Sequence, residues 1–386
     1  MKKKIAILGS TGSIGRSLLK IISKKPNEFE ITLLSAHKNY KKLFKQAEKY
    51  KVRNIIITNL KYFKIAKSKK KKINIYNNYD QLNKIIKKKI DYTMSAIVGL
   101  DGLQPTIRMI KFTKKIAIAN KESIICAWNI IKKELIKNKT EFVPVDSEHF
   151  SIWYALQNKK ISKVSKIYLT ASGGPLLNIP KQNYNKLPLK NILKHPNWKM
   201  GKKITVDSST LINKVFEIIE AKNIFDLGYN KLSIIIHPKS YLHAILVFND
   251  GMIKIIAHNT TMEIPIFNTL YQDYKKLHLK NKLNIGKLNN LALQQVSSKK
   301  FQSIKILKKL PDKNSLFETA LVSANDELVN LYLKKKIKYT DIINILIKFL
   351  NKDEIKKLKK IRPSNLSQIT KINNDVRLKI NSLYIN

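Results

Sequence analysis

The sequence predicts an α/β chain: a parallel sheet with helices on both faces at the N-terminus, an α+β segment after it, and a helical C-terminus. Three observations carry this. Short apolar runs alternate with helical patterns from residue 3 to residue 119, the signature of a doubly covered parallel sheet. A glycine-rich turn joins the first run to the first helical pattern. Near the end, Ile343, Leu346, Leu350, Ile355 and Leu358 keep helical spacing.

The first element, Lys3 to Leu8, is a short apolar strand. Gly9-Ser10-Thr11-Gly12-Ser13-Ile14-Gly15 follows, and Arg16 to Lys24 then has apolar residues at helical spacing. Glycines at these positions permit a tight turn, close backbone approach to a pyrophosphate and close helix packing. The helix start offers free N–H groups to the phosphates. This is a Rossmann-like dinucleotide site, although a plain strand-to-helix turn has the same local form. The second strand, Glu30 to Ser35, ends in Ala36-His37-Lys38-Asn39. A site for NAD commonly carries a carboxylate here. A lysine without one favours the 2′-phosphate of NADPH; the plainer reading is another surface lysine. Asn54 to Thr58, Asp91 to Val98 and Lys115 to Ala119 continue the alternation. Asn120 and Lys121 follow the last of these, at the strand ends where such sheets bind ligands.

Pro144-Val145-Asp146-Ser147-Glu148-His149 sets two carboxylates one residue apart in a chain with 75 Lys+Arg and 26 Asp+Glu. In an extended segment both point to one side. Like charges so close call for a cation between them, and a hard divalent ion would serve. A solvated acidic turn is the alternative. Thr170-Ala171-Ser172-Gly173-Gly174-Pro175, after the strand Lys166 to Leu169, could cradle a phosphate on its amides and the Ser172 hydroxyl; alone it also reads as a plain loop. His195-Pro196-Asn197-Trp198-Lys199-Met200-Gly201 has the composition of a flexible lid with an aromatic cover, or of a loop anchored by its tryptophan. Ser208-Ser209-Thr210 supplies hydroxyls suited to capping a helix. In that helix Asn213, Lys214 and Glu217 share one face, with Glu220 extending the row. Its other faces are apolar, so the helix is buried and its polar groups need partners. A third carboxylate joining Asp146 and Glu148 at a metal would meet that need; a surface Lys–Glu pair is the bland reading.

At 386 residues the chain exceeds one ordinary core, and 44% apolar content allows sizeable ones. No apolar run approaches the roughly 18 residues of a membrane-spanning helix, and the N-terminus lacks the features of a signal peptide. Cys126, the single cysteine, excludes an internal disulfide and fits a reducing cytoplasm. The net charge of +49 invites a nucleic-acid reading. The lysines are scattered, however, without a nucleic-acid-binding motif, so no specific nucleic acid is expected.

Taken in order, the glycine turn, Ala-Asn-Lys-Glu-Ser (119–123), Pro-Val-Asp-Ser-Glu-His (144–149), Ser-Gly-Gly-Pro (172–175), His-Pro-Asn-Trp-Lys-Met-Gly (195–201) and Asn-Lys-x-x-Glu (213–217) closely resemble the 1-deoxy-D-xylulose 5-phosphate reductoisomerase family. The resemblance runs from residue 3 to about residue 265 and continues more weakly through Thr319 to Glu327. It implies an NADPH-dependent enzyme using Mg²⁺ or Mn²⁺ (or Co²⁺) on a sugar-phosphate substrate, in the non-mevalonate route to isoprenoid precursors. The reaction implied is rearrangement and reduction of 1-deoxy-D-xylulose 5-phosphate to 2-C-methyl-D-erythritol 4-phosphate. By motif, Asp146, Glu148 and Glu217 would bind the metal and, with Lys121, form the catalytic set. Ser147, Ser172, His195, Ser208, Asn213 and Lys214 would hold substrate, with Trp198 and Met200 as the lid. Thr11, Gly12, Ser13, Ile14, His37, Lys38 and Asn39 would bind NADPH, together with Asn120, Glu122 and Gly201. Three departures stand out. Ala171 and His37 replace glycines, and Thr260-Thr261-Met262-Glu263 replaces Pro-Asp-Met-Arg.

The expected organisation is 1–149 for NADPH, 150–275 for metal and substrate, a linker at 276–297 and a helical domain at 298–386. The resemblance further implies a homodimer. A different NADP oxidoreductase, such as a semialdehyde dehydrogenase, would want a reactive cysteine, and Cys126 sits in an apolar run.

Overall fold

The computed structural model describes residues 1–69, 72–157, 159–271 and 283–383, which form two compact units. The first comprises Met1–Ser123, Ile131–Phe150 and, from Met262, the described residues to 271. Its sheet has seven parallel strands: β1 (Lys3–Leu8), β2 (Phe29–Ala36), β3 (Asn54–Ile57), β4 (Asn74–Tyr76), β5 (Ile90–Ser95), β6 (Thr113–Ile118) and β7 (Glu141–Pro144), in the order β4-β3-β2-β1-β5-β6-β7. Ile5, Ala6, Ile7 and Leu8 are all fully buried, because helices cover both faces of a parallel sheet. Strand order reverses at β1, which neighbours β2 on one side and β5 on the other. The crevice at that switch point is where such sheets take ligands, and the glycine turn opens there. The helix Glu263–Leu270 belongs to this unit, adding Ile266, Phe267 and Leu270 to its core, while Tyr92 Oη and Thr269 Oγ1 share a hydrogen bond of 2.8 Å.

The second unit holds Ile124–Ile130, Ser151–Thr261 and the described residues from 283. Its five-stranded sheet is built from β8 (Val164–Ala171), β9 (Leu232–Ile236), β10 (Leu242–Phe248), β11 (Ile253–Ala257) and β12 (Gln294–Gln295), ordered β11-β10-β8-β9-β12. Only β8 and β9 are parallel. Helix Ile212–Phe225 lays Ile218, Ala221 and Phe225 on Ile167, Leu169, Ala244 and Leu246. Of the expected linker, residues 276–282 lie outside the described residues, while 283–297 include β12, which pairs with β9. The C-terminus is helical as expected, through Leu316–Leu333, Tyr339–Leu350, Asp353–Lys357 and Leu366–Ser382.

The sequence predicts one helix opening at Ser208-Ser209-Thr210. The structure has two instead, Lys202–Ser209 and Ile212–Phe225, separated at Leu211 with φ 62°. A left-handed leucine costs about 1–2 kcal/mol. Burial holds it there: Leu211 is 2% exposed and packs with Ala171, Ile236 and Phe301. Ser208 therefore ends one helix, and Asn213 and Lys214 begin the next.

Ser315 caps the long helix Leu316–Leu333. Its hydroxyl accepts from Phe317 N at 3.1 Å, and Glu318 Oε2 accepts from Ser315 N at 3.0 Å and Ser315 Oγ at 2.6 Å. Both residues are buried. Ser315→Ala should lower stability by about 1–2 kcal/mol, read as a lower urea midpoint at unchanged slope.

Candidate active site

The glycine turn has the geometry of a phosphate cradle. Gly9 adopts φ +81°, and a Cβ there would stand 2.7 Å from Ala96 O, at the end of β5. A Cβ on Gly15 would stand 2.6 Å from Ser10 Cα. Helix Ser13–Ser23 starts at Gly12 without a side-chain cap, so its first N–H groups remain available to an anion. Thr11 and Ile14 are half-buried, and Gly12 and Ser13 exposed. At the end of β2, His37, Lys38 and Asn39 are exposed; His37 Nδ1 lies 2.9 Å from Thr58 Oγ1, and Asn39 caps the next helix at Lys42 N. The pKa of Lys42 is lowered by slight burial and by the charge of Arg16.

Sequence reasoning missed the braces of this loop. Gly9 N donates to Ser35 Oγ at 3.0 Å, and Tyr79 Oη to the same oxygen at 2.7 Å. Ser10 Oγ donates to Gln46 Oε1 at 2.8 Å, and Gln46 Nε2 returns a bond to Ser10 O at 3.0 Å. Only the burial of Gln46, mid-helix and outside any motif, marks it.

Helix Lys121–Lys137 opens at Asn120, whose side chain accepts from Ser123 N at 2.6 Å and donates to Gly99 O at 2.7 Å and to Ile97 O. Asn120 thereby sets the direction of Lys121. Lys121 Nζ reaches Asp146 Oδ2 at 3.0 Å, with both side chains largely buried. Burial pushes the Asp146 carboxyl up, but Lys121 and His149 outweigh it and hold the group well below the usual carboxylate range. Asp146 Oδ1 is buried without a hydrogen bond among the described residues; His149 Nδ1 stands 3.5 Å away. Ser147 Oγ donates to Glu148 Oε2 at 2.6 Å. An ionised carboxylate with a spare oxygen beside a second carboxylate fits a hard divalent cation. His149 is absent from the sequence-derived site, although its i+3 spacing from Asp146 on a helix start could have flagged it.

In the second unit, the row read from helical spacing is present. Asn213 Nδ2 and Lys214 Nζ both donate to the Glu217 carboxylate, and Lys214, Glu217 and Glu220 are buried. The turn after β8 has two left-handed glycines, Gly173 (φ +78°) and Gly174 (φ +69°). A Cβ on Gly174 would stand 2.8 Å from Ser208 O, so the turn rests against the helix end carrying half-buried Ser208. Ser172 Oγ accepts from Gly174 N at 3.0 Å and lies 3.0 Å from His195 Nε2. His195 Nδ1 accepts from Asn197 N at 3.2 Å and Trp198 N at 3.0 Å. That places the imidazole proton on Nε2, aimed at Ser172. Trp198 and Met200 are half-buried and Gly201 is exposed. Ser172, His195 and Ser208 thus gather around one polar turn.

Burial pushes His195 down to about 4, and burial with His243 beside it pushes His258 down to about 3. An unfolded histidine titrates near 6.5. Below that pH the unfolded chain binds protons that the folded chain refuses, so both groups erode stability as pH falls towards 4 and 3. The urea midpoint should drop across that window, and less steeply in His195→Gln.

The three departures are accommodated. His37 and Ala171 are not among the residues with positive φ, so neither needs glycine. Glu263 opens helix Glu263–Leu270, where an acid suits the dipole, and pairs with Lys20. Cys126 is fully buried, which removes it as a thiol nucleophile.

A nucleotide-binding sheet, a buried carboxylate–lysine pair and an anion-ready serine–glycine turn define the class, a dinucleotide-dependent oxidoreductase acting on a phosphorylated substrate. Family models agree. "1-Deoxy-D-xylulose 5-phosphate reductoisomerase" matches residues 5–128, its C-terminal domain 142–225, and "DXP reductoisomerase C-terminal domain" 258–379. The chain belongs to the 1-deoxy-D-xylulose 5-phosphate reductoisomerase family. It is 56% identical over 388 residues to the Pelagibacter ubique reductoisomerase, covering 99% of this chain and 100% of the relative. With that of Sulfurihydrogenibium sp. it shares 35% over 355 residues, 92% of each chain. Among solved structures, the Zymomonas mobilis reductoisomerase in complex with NADPH matches with TM-score 0.87 and 27% identity over 100% of both chains. A reductoisomerase in complex with NADPH, fosmidomycin and magnesium matches with TM-score 0.90 and 29% identity over 98% of both.

Proposed function

We propose that this chain rearranges 1-deoxy-D-xylulose 5-phosphate and reduces the product to 2-C-methyl-D-erythritol 4-phosphate, using NADPH and a divalent metal. The observation that carries this is the Asp146 carboxylate, one oxygen on Lys121 and the other facing His149 at 3.5 Å without a hydrogen bond among the described residues, in a chain that matches the reductoisomerases end to end. Asp146, Glu148 and Glu217 would hold Mg²⁺ or Mn²⁺ (or Co²⁺). When bound, the metal supplies a Lewis acid for charge developing on the substrate oxygens, and the nicotinamide supplies hydride. Lys121 is placed to stabilise that charge or move a proton. Asn213 and Lys214, oriented by Glu217, hold substrate hydroxyls or phosphate, together with Ser147, Ser172 and Ser208. His195 offers its Nε2–H, and Trp198 and Met200 cover the site against water. Thr11 to Ile14, His37 to Asn39, Asn120, Glu122 and Gly201 serve NADPH. Functionally we divide the chain as 1–149 for NADPH, 150–275 for catalysis, 276–297 as linker and 298–386 as the helical domain.

The assembly that fits is a homodimer. Among the described residues β11 is an edge strand, and its Ile253 and Ile255 are 57% and 50% exposed, a surface a second copy would cover. No helix among the described residues is long and apolar enough to cross a membrane. The single buried free thiol suits the reducing cytoplasm.

Loss of reduced-nicotinamide absorbance tests the reading. Consumption should require the pentulose phosphate, stop with chelator and return on adding Mg²⁺ or Mn²⁺. No consumption after metal is restored would overturn it.

A further inference from the structure

Trp198 meets His243 edge-on, with ring centroids 6.0 Å apart and planes at 76°. His243 in turn lies flat on His258, at 3.7 Å and 14°. Both imidazoles are buried. Their hydrogen bonds settle the protons: His243 Nε2 donates to His258 O at 3.2 Å, and His258 Nδ1 donates to Asn259 O at 2.9 Å. His258 Nε2 is left without a hydrogen bond among the described residues. His258 is therefore uncharged at neutral pH, as its titration, depressed by burial and by His243 beside it, also requires. The register between β10 and β11 shifts between Leu242 and Ala244, which makes His243 the extra residue of a bulge. A bulge re-aims a side chain, and here it presents His243 to both His258 and Trp198. A second tie holds the same loop, since Asn197 Nδ2 donates to Pro238 O at 2.6 Å and Ser240 Oγ at 2.9 Å.

We propose that His258 is a positioning residue for the tryptophan cover: its flat ring underlies His243, which fixes the seat on which Trp198 rests. Three rings in sequence lose an ordered surface if the lowest is removed, because aromatic pairs depend on their geometry. His258 meets Trp198 only through His243, so its effect should reach substrate capture through the cover and leave the chemical step alone. The kinetic consequence rests on the function proposed above, while the seat itself does not.

The test uses the full chain with His258→Ala and His258→Phe, each alone and combined with Trp198→Phe. Emission of Trp198 is taken as the difference between each protein and its Trp198→Phe counterpart, and acrylamide quenching is measured on that difference. His258→Ala should raise the quenching constant about twofold, and His258→Phe, which keeps a flat ring, should match the parent. In turnover, His258→Ala should raise KM for the pentulose phosphate about tenfold with kcat within about twofold. The double variant should then be no worse than Trp198→Phe alone, since both changes act on one interaction. Unchanged quenching in His258→Ala, additive effects on KM, or a His258→Phe variant as impaired as His258→Ala would each overturn the proposal. Should His258→Ala fail to fold, His258→Leu fills the volume without a flat ring and must give the same increases. If the parent does not consume NADPH, the functional reading fails, and the quenching result still decides the role of His258.

Discussion

Glu217→Gln should remove metal-dependent turnover while NADPH binds as tightly as to the parent. Glu217 is 2% exposed, and both its oxygens are occupied, one by Asn213 Nδ2 and the other by Lys214 Nζ. Glutamine keeps the shape but carries no charge, so Lys214 loses its counter-ion and the proposed metal loses an anionic ligand. Groups that only support a metal ligand are worth about 10- to 100-fold, so a direct ligand should exceed about 100-fold in turnover. Glu217 is not among the residues proposed to serve NADPH, which is why nucleotide affinity should hold. The measurement is kcat across a metal titration, with NADPH affinity from nicotinamide fluorescence. Near-native turnover would reject Glu217 as a ligand.

Gly15→Ala should weaken NADPH binding about 10- to 100-fold, the cost of misplacing groups by about 1 Å. The added Cβ would stand 2.6 Å from Ser10 Cα and 2.7 Å from Gly9 O. Both are backbone atoms, so the helix itself must move, carrying its free N–H groups off the phosphates. Overpacking of this kind also costs about 1–3 kcal/mol of stability. Gly12→Ala is the internal comparison: its Cβ meets only Gly9 O, at 3.3 Å, and Gly12 has φ −74°. Gly12→Ala should therefore lose much less stability, as calorimetric melting would show. Equal losses would mean that the close approach at Gly15 is not what matters.

Much of the site was readable along the chain because its signals are local. Strand, glycine turn and helix follow one another directly, so periodicity and glycine spacing suffice for residues 3–24. The row Asn213, Lys214 and Glu217 follows from helical geometry, and the structure closes it with two hydrogen bonds onto Glu217. The departures could also be weighed locally, since His37 and Ala171 needed only a negative φ.

Other features depend on what a residue packs against. Hydroxyls at 208–210 have the composition of a helix start, yet they end a helix, because burying Leu211 beside Ala171 and Ile236 outweighs a left-handed backbone. Gln46 reads as an ordinary helix residue until Ser10 is seen beside it, 36 positions away. Lys121 reaches Asp146 only because β6 and β7 are neighbours and the segments following both strands meet at the same end of the sheet. The bulge that turns His243 onto His258 leaves no trace in composition.

Sequence alone determined the fold class, the glycine cradle, the scarce carboxylates and the family, since each is written in spacing that neighbouring residues enforce. Tertiary structure alone decided which hydroxyls, imidazoles and amides meet around the Ser172 turn and the Asp146 carboxylate. The physical reason is distance along the chain: helix and turn signals act over a few residues, whereas burial and hydrogen bonding select partners tens of positions apart.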